Sequence, residues 1–329
     1  MTRVRAAGAL ILVSIVGAAL AAPSLTPHTP SQHFSGYEQA PPMRPRVVRD
    51  GRLSRPFVYP VVLVNRLERT YAIDRLNAVP IRWFANGAIA SIDESRGPWL
   101  PLGADALGRD VFARTLYGAR LSLGVACAAT LGALAIGLLV GGIAGFHGGR
   151  TETLLMAIAD FVLVLPAIYV VLAIRSALPA ELTVSQVFWS LTGVLAAVGW
   201  PITGRGVRAI VAGERGREYA EAAYALGAGP WRILLRHLLP ASTAFIALTA
   251  TMMVPAFVLA EGTLALVGMG FRVPATSWGV MLRDAWQGNA FADAPWLLAP
   301  AAAIMMTVLG LQLLTSGSPV EGSQAGTFQ

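Results

Sequence analysis

The sequence predicts an all-α protein that crosses a membrane several times, on three observations. Of its 329 residues, 55% are apolar and 13% charged, with a mean hydropathy of +0.60, whereas a soluble domain carries about 25% charged residues. Long uncharged runs recur along the chain, matching the roughly 20 apolar residues needed to cross about 30 Å of hydrocarbon. All 25 cationic residues are arginine, and most of them sit in two segments flanking those runs.

The first apolar run, Ala6–Ala22, follows Arg3 and Arg5. Ala19-Leu20-Ala21 fits the small-residue pattern of a signal-peptide cleavage site, and the run is equally a membrane anchor of minimal length. Five longer runs follow, at Leu121–Phe146, Thr153–Ile174, Leu182–Gly204, Leu238–Ala260 and Pro295–Thr315, so six spans are expected. Arginine in short loops marks the cytoplasmic side. The 205–237 loop holds Arg205, Arg208, Arg215, Arg217, Arg232 and Arg236, and by parity Arg3, Arg5 and Arg150 share its side. Arg272 and Arg283, with Arg114, Arg120 and Arg175 at span edges, fall opposite. Both termini are therefore expected in the cytoplasm.

The expected division is a first helix over residues 1–22, an external segment over 23–116, a membrane domain over 117–315 and a tail over 316–329. Within the external segment, Pro23 to about Pro45 reads as a linker rich in Pro, Ser, Thr and His. Phe57–Val64, Thr70–Ile73 and Val79–Phe84 read as short strands of a small β-rich insert, being β-branched and aromatic between turn residues. About 50 residues bury too little for a generous core. Arg44, Arg46, Arg49, Arg52 and Arg55 form either a solvated face or a contact for an anionic partner or lipid headgroups.

Composition also excludes. Without lysine there is no Schiff-base chemistry, no lysine general base and no Walker A phosphate loop; ATP, if used, must be bound by another chain. Cys127 stands alone in an apolar run, so no intrachain disulfide forms, and a packing role is expected for it. His28, His33, His147 and His237 are scattered, with neither HExxH nor GxSxG present. No catalytic residue, metal site or bound cofactor is expected. Nucleic acid is not an expected partner either, because the arginines flank membrane runs.

The most specific signal lies in the 205–240 loop: Arg217-Glu218-Tyr219-Ala220-Glu221-Ala222-Ala223-Tyr224-Ala225-Leu226-Gly227-Ala228-Gly229-Pro230. Its Ala and Glu content predicts a helix from Gly213 to Leu226. Gly227 suits the left-handed position that stops it, and Pro230 suits the first turn of a second helix reaching Leu239, with Pro240 after it. Ala222 and Ala223 would let another chain approach closely, while Glu218 and Glu221 supply charge. Composition alone leaves an ordinary surface loop open.

Glu221-Ala222-Ala223, then Gly227, then Leu239-Pro240, resembles the EAA loop of ABC importer permeases. His237, where the general pattern has isoleucine, looks like the peptide-permease branch. Three further stretches resemble the dipeptide, oligopeptide and nickel permeases. Leu102-Gly103-Ala104-Asp105-Ala106-Leu107-Gly108-Arg109-Asp110 through Arg120 is similar to their GTDxxGRDxxSRxxYGAR stretch, with Ala104 for threonine and Ala113 for serine. Ala260-Glu261 through Gly270 with Ser277-Trp278-Gly279, and Ala294-Pro295-Trp296, match in order. The outer segment, at about residues 46–95, is longer than in commoner members, and Thr315–Gln329 lacks the usual charged tail.

The resemblance implies a type I importer fold of six transmembrane helices with an EAA coupling helix. It implies the second permease of a homologous pair in a bacterial inner membrane, with two cytoplasmic ATPases that use ATP and Mg, an external solute-binding protein and membrane lipid as partners. It places ATPase coupling at Glu218, Glu221, Ala222, Ala223, Gly227, His237, Leu239 and Pro240. The implied cargo is a di- or oligopeptide, with nickel or another non-peptide solute as the alternative. A secondary transporter fits less well because no internal repeat is visible. A membrane enzyme fits less well because no nucleophile or metal constellation is.

Within the runs, Asp160 costs roughly 2.5–3.5 kcal/mol at a helix centre, so it must face a partner or a wet cavity. It is a candidate for the translocation pathway, with a polar tie to a neighbouring helix as the other reading. Glu261 is a second candidate, leaning to structure. Pro166 and Pro255 are expected to kink their spans, and Trp189, Trp200, Trp278 and Trp296 to mark membrane interfaces.

Overall fold

A computed structural model describes residues 3–49, 51–85, 87–177, 179, 182–287 and 294–316. The chain forms two compact units. One comprises Met1–Arg5, Leu123–Glu261 and Leu311–Gln329, the other Ala6–Ser122 and Gly262–Gly310. Among the described residues, five helical stretches are long and apolar enough to cross a membrane: Arg3–Leu20, Val111–His147, Val184–Arg215, Pro230–Leu266 and Pro295–Thr315.

The first unit is built on α3 (Val111–His147), of which it holds the part beyond Leu123, and on α4 (Gly149–Val164), α5 (Ala167–Ala177) and α6 (Val184–Arg215). Thr183 starts α6 with a capping box: its Oγ1 accepts the Gln186 N–H at 3.3 Å, and Gln186 Oε1 accepts the Thr183 N–H at 2.9 Å. This double satisfaction of orphan donors fixes where the helix begins. α3 and α6 pack backbone to backbone through Gly137, Gly141 and Gly145. A β-carbon at Gly137 would lie 2.5 Å from Thr203 Cβ, and one at Gly145 would lie 2.7 Å from the Arg208 carbonyl oxygen. At Gly141 it would collide with the Gly204 carbonyl. Small residues spaced by four permit such approach between membrane helices.

The expected span Thr153–Ile174 is broken. Leu165 adopts an extended backbone (ψ 124°) ahead of Pro166, dividing α4 from α5. Proline clashes with a helical residue before it and removes a donor, so Pro166 ends a helix where a kink was expected. Pro255 instead lies inside a continuous helix. Cys127, expected to pack, is exposed on α3.

Among the described residues, the second unit holds the rest of α1 (Arg3–Leu20), the short α2 (Ala22–Leu25), seven strands, α10 (Trp278–Gln287) and most of α11 (Ala299–Thr315). The strands form three small antiparallel sheets. β1 (Arg46–Arg49), β2 (Arg52–Val58) and β5 (Val79–Pro80) make the first, β3 (Val61–Asn65) with β4 (Thr70–Ile73) the second, and β6 (Arg82–Ala85) with β7 (Ala88–Ser91) the third. The expected strand 57–64 is split at Tyr59-Pro60, because Pro60 cannot donate to a ladder. The expected strand 79–84 divides at Ile81, whose N–H goes to the Pro56 carbonyl at 2.9 Å.

The stretch from Pro23 to Pro45 is not a linker. Ala40 and Met43 join Val58, Val61, Val79 and Leu100 in one buried cluster, and Thr26 and His28 are buried as well. Tyr71 donates to the Glu38 carbonyl at 2.8 Å, and burial pushes its phenol up to about 12. The arginines at 44, 46, 49, 52 and 55 are all exposed. The tryptophans do not uniformly mark interfaces. Trp278 is buried with its ring N–H on the Thr115 carbonyl, and Trp296 donates to the Ala104 carbonyl, each at 3.0 Å. Trp200 is buried too, and of these four only Trp189 is exposed.

A closed ring of charge ties the 105–114 stretch to α10. Arg109 Nε donates to Asp105 at 2.7 Å and its Nη2 to Asp284 at 3.0 Å. Arg114 contacts Asp105 through Nη1, and its Nη2 reaches Asp284 at 3.0 Å. Asp105, Arg109 and Arg114 are buried. Beside them, Asp110 accepts the Phe112 N–H and so caps α3, while its second oxygen meets His28 Nδ1, both at 2.9 Å. Removing one partner from a buried ion network leaves an uncompensated charge and costs about 3–5 kcal/mol. Asp105→Ala is therefore expected to lower the midpoint of thermal unfolding in detergent. An unchanged midpoint would show that the ring holds nothing.

Candidate functional site

The loop after α6 folds as short helical pieces in series. α6 runs on to Arg215, so the helix expected from Gly213 begins later, after Gly216. Arg217 takes an extended backbone (ψ 149°), and α7 spans Glu218–Ala225. Glu218 and Glu221 lie in its first turn, where a negative charge complements the helix dipole.

Gly227 stops α7 with φ 78°. The Ala228 N–H bonds the Ala223 carbonyl at 3.0 Å and the Gly227 N–H bonds the Tyr224 carbonyl at 2.9 Å, the paired bonds of a Schellman motif. Nothing stands within 4 Å of where a Gly227 β-carbon would project. Only the left-handed backbone demands glycine there.

The second helix does not stop at Leu239. α8 (Pro230–Ile233) passes into a π-helical turn (Leu234–Leu238) and a 3-10 turn (Leu239–Ser242), then directly into α9 (Thr243–Leu266). Pro240 cannot donate to the Arg236 carbonyl, and its ring crowds that turn. The chain widens there and continues.

An eight-residue helix is marginal in isolation, so α7 depends on docking. Ala220 and Ala223 are buried with Phe146 at the end of α3, Val207 and Val211 of α6, and Ile233, Leu234 and Leu238. Tyr224 stacks on Phe146 with ring centroids 6.4 Å apart. Arg215 Nη1 donates to the Phe146 carbonyl at 2.8 Å, placing positive charge at a helix C-terminus. Tyr219 donates to Glu214 at 2.7 Å, and Arg217 pairs with Glu214 at 3.1 Å. Partial desolvation, then the Glu214 hydrogen bond, raises the Tyr219 phenol above its ordinary value.

Docking divides the expected site in two. Glu218, Glu221 and Ala222 face outward, together with Gly227 and Pro240. Ala223 faces inward, so of the two alanines expected to admit another chain only Ala222 is free to do so. His237 is half-buried within the π-helical turn, and Leu239 packs toward Gly142.

The two pathway candidates lie elsewhere. Asp160 on α4 pairs with Arg205 on α6 at 3.1 Å, both exposed, and the neighbouring Glu152 pairs with Arg208. Glu261 on α9 is fully buried. Phe146, Arg215 and Tyr224 escaped the sequence reading because their roles depend on tertiary contact. The Gly137, Gly141 and Gly145 spacing was visible and would have located the α3–α6 contact.

Residues 137–317 match the family described as binding-protein-dependent transport system inner membrane component. The chain is 35% identical over 224 residues to the oligopeptide transport system permease protein OppC of Bacillus subtilis, covering 68% of this chain and 70% of that one. It is 38% identical over 216 residues to the dipeptide transport system permease protein DppC of Alkalihalophilus pseudofirmus, covering 65% and 68%. A second DppC, from Bacillus subtilis, is 36% identical over 217 residues, covering 65% of each chain. The match contains the Schellman-stopped helix, the π-helical turn and the glycine-packed helix pair. The chain therefore belongs to the family of binding-protein-dependent transport system inner membrane components, as a multi-pass membrane permease component and not itself an enzyme.

Proposed function

We propose that this chain is one of two homologous permeases in an ATP-driven peptide importer of the bacterial inner membrane, and that α7 couples it to a separate ATPase. The observation that carries this reading is the two-sided character of α7. Ala220 and Ala223 lock one face onto the spans, while Glu218, Glu221 and Ala222 leave the opposite face outward with charge and a small side chain. The peptide cargo follows from the names of the oligopeptide and dipeptide relatives. None of the three relatives named above is described as a nickel permease.

In this reading six spans cross the membrane. The sixth, beyond the five long helices, is α4 with α5, interrupted at Pro166; both pack on α6. Both termini and the 205–240 loop lie in the cytoplasm, and residues 23–116 lie outside with their β-rich insert. Residues 1–22 remain attached as the first span. Its final carbonyls, of Ala19 and Leu20, accept Arg120 at 2.7 and 2.9 Å, contacts that cleavage after Ala21 would discard. Residues 117–315 form the permease domain and 316–329 a cytoplasmic tail, of which 317–329 lie outside the described residues. The remaining partners are two ATPase subunits that use ATP and Mg, an external solute-binding protein and membrane lipid; this chain binds no cofactor.

Switching between two access states requires contacts that differ between them. Moving an equilibrium from 1:99 to 99:1 takes about 5.5 kcal/mol of differential interaction. A loosely tethered loop would dissipate such a bias. A helix stopped by a Schellman motif and seated on Phe146 by an aromatic stack, where Arg215 ties α6 to the end of α3, passes a push at its outer face to α3 and α6. In this reading the exposed Asp160–Arg205 pair, on two of the proposed spans, borders the path between the paired permeases.

Two outcomes check this reading. Glu221→Lys, at an exposed position, should abolish ATP-dependent peptide uptake in vesicles while the permease pair still co-purifies; wild-type uptake would contradict it. A β-branched residue at Gly227 must adopt a left-handed backbone costing about 1–2 kcal/mol, roughly a tenfold loss of the docked loop. Gly227→Val should cut uptake about that much while Gly227→Asn is tolerated, and equal uptake by the two would refute the conformational account.

A further inference from the structure

An apolar groove runs along the last third of α3, inside the first unit. One wall is Leu138, Leu139 and Ile143 of α3; the other is Trp231, Leu235 and Leu239, on the stretch that leads into α9. Its volume is about 290 Å³, and apart from Trp231 every side chain lining it is aliphatic. A smaller hollow of about 60 Å³ shares Trp231 and Leu234 with it and reaches Phe146 and His147, where α3 ends. Together they follow α3 from Ala135 to His147, about 18 Å at 1.5 Å per residue. A bilayer with its headgroups is about 40–45 Å thick, so the groove has nearly the depth of one leaflet. Leu139, Trp231 and Leu235 are 58%, 57% and 61% exposed, which leaves it open from the side.

The charge at its mouth is distinctive. Of the six arginines in the loop, Arg205, Arg208 and Arg217 pair with carboxylates and Arg215 holds the Phe146 carbonyl. The other two, Arg232 and Arg236, directly follow Trp231 and Leu235 and so border the groove's edge. Both are exposed, and neither has an ion-pair or hydrogen-bond partner among the described residues.

We propose that the groove binds one anionic phospholipid of the cytoplasmic leaflet. Its phosphate sits on Arg232 and Arg236, an acyl chain lies against Leu139, Ile143 and Leu235, and the Trp231 ring marks the boundary between them. The proposal rests on the cytoplasmic placement of the 205–240 loop. A soluble ATPase could reach the two arginines, but not a wall that lies along a membrane span. A neighbouring helix could cover the wall, but to neutralise both guanidinium groups it would have to carry carboxylates to the edge of the hydrocarbon, where they are costly. A phospholipid brings chain and anion in one molecule. Tryptophan is enriched at the headgroup level, and basic clefts between helices on the cytoplasmic side are where anionic headgroups bind. Bound there, the chain backs Leu234 and Leu239, which lie over Gly142, and Leu234 belongs to the cluster that seats α7. The lipid and the loop thus share one support.

The test reconstitutes the complex that purifies with this chain in nanodiscs of phosphatidylcholine. Phosphatidylglycerol or phosphatidylcholine with brominated acyl chains is titrated in, because bromine quenches indole fluorescence on contact. The Trp231 signal is the difference between the unaltered chain and Trp231→Phe. Half-quenching should come at a mole fraction roughly thirtyfold lower for the brominated phosphatidylglycerol, the factor expected of two arginines near an anionic headgroup. R232Q/R236Q, at exposed and unpaired positions, should bring the two lipids level without changing the yield of the complex. Excess inorganic phosphate should leave the quenching as it was. Equal quenching by the two lipids in the unaltered chain would overturn the proposal, as contact with bulk bilayer only. So would a preference that survives R232Q/R236Q, or displacement by inorganic phosphate, which would make this a free-phosphate site. Absence of quenching by either lipid would overturn it too, since another chain would then cover the groove. Nanodiscs carry the same lipid on both faces and the readout involves no transport, so the importer reading stands or falls separately.

Discussion

The contact on which the rest depends is the meeting of α3 and α6 at Gly137, Gly141 and Gly145. Lipid tails are as apolar as leucine, so membrane helices gain nothing from hiding apolar surface in one another and hold together by close packing. Here the packing is backbone on backbone, with Thr203, Gly204 and the Arg208 carbonyl filling the space a side chain would take. That approach brings Phe146, at the end of α3, level with Val207 and Val211 of α6. It also lets Arg215 reach the Phe146 carbonyl. The seat for α7 is the floor these residues make.

Seen from that seat, the loop is an outward extension of the helix pair. Glycine serves it in two physical roles. In α3 it permits approach, and at Gly227 it supplies a left-handed backbone that nothing crowds. Pro230 and Pro240 divide the labour similarly: the first starts a helix whose N–H would be orphaned anyway, and the second widens a turn without ending the chain's helical course. The outcome is a short acidic helix with one face committed to the spans and the other available.

Much of this was legible in the residues. Hydropathy located the long helices, and the EAA pattern located the loop. Gly227 announced its own conformation. What failed did so for identifiable reasons. Helix ends depended on tertiary continuation, so α6 ran past Gly213 and the chain ran past Leu239. Pro166 looked like a kink because apolar residues continue on both sides, yet hydropathy does not report that Leu165 is forced extended. Pro23–Pro45 looked like a linker by composition, but Ala40 and Met43 are among the few apolar residues available to close the insert's small core. Asp105, Arg109 and Arg114 could be read as a family signature, while their ring with Asp284 joins residues about 170 positions apart. Which alanine of the Ala222-Ala223 pair faces outward was beyond sequence because α7 is too short to declare a face by periodicity.

The central claim is that the outer face of α7 meets a separate ATPase. Its most direct test is site-specific cross-linking in a Cys127→Ser background, which removes the exposed native thiol. Cysteine at Ala222 should cross-link the co-expressed ATPase subunit, with a yield that changes on nucleotide binding, whereas cysteine at buried Ala220 should not. Equal cross-linking from the two positions, or none from Ala222 in an assembled and transporting complex, would contradict the account.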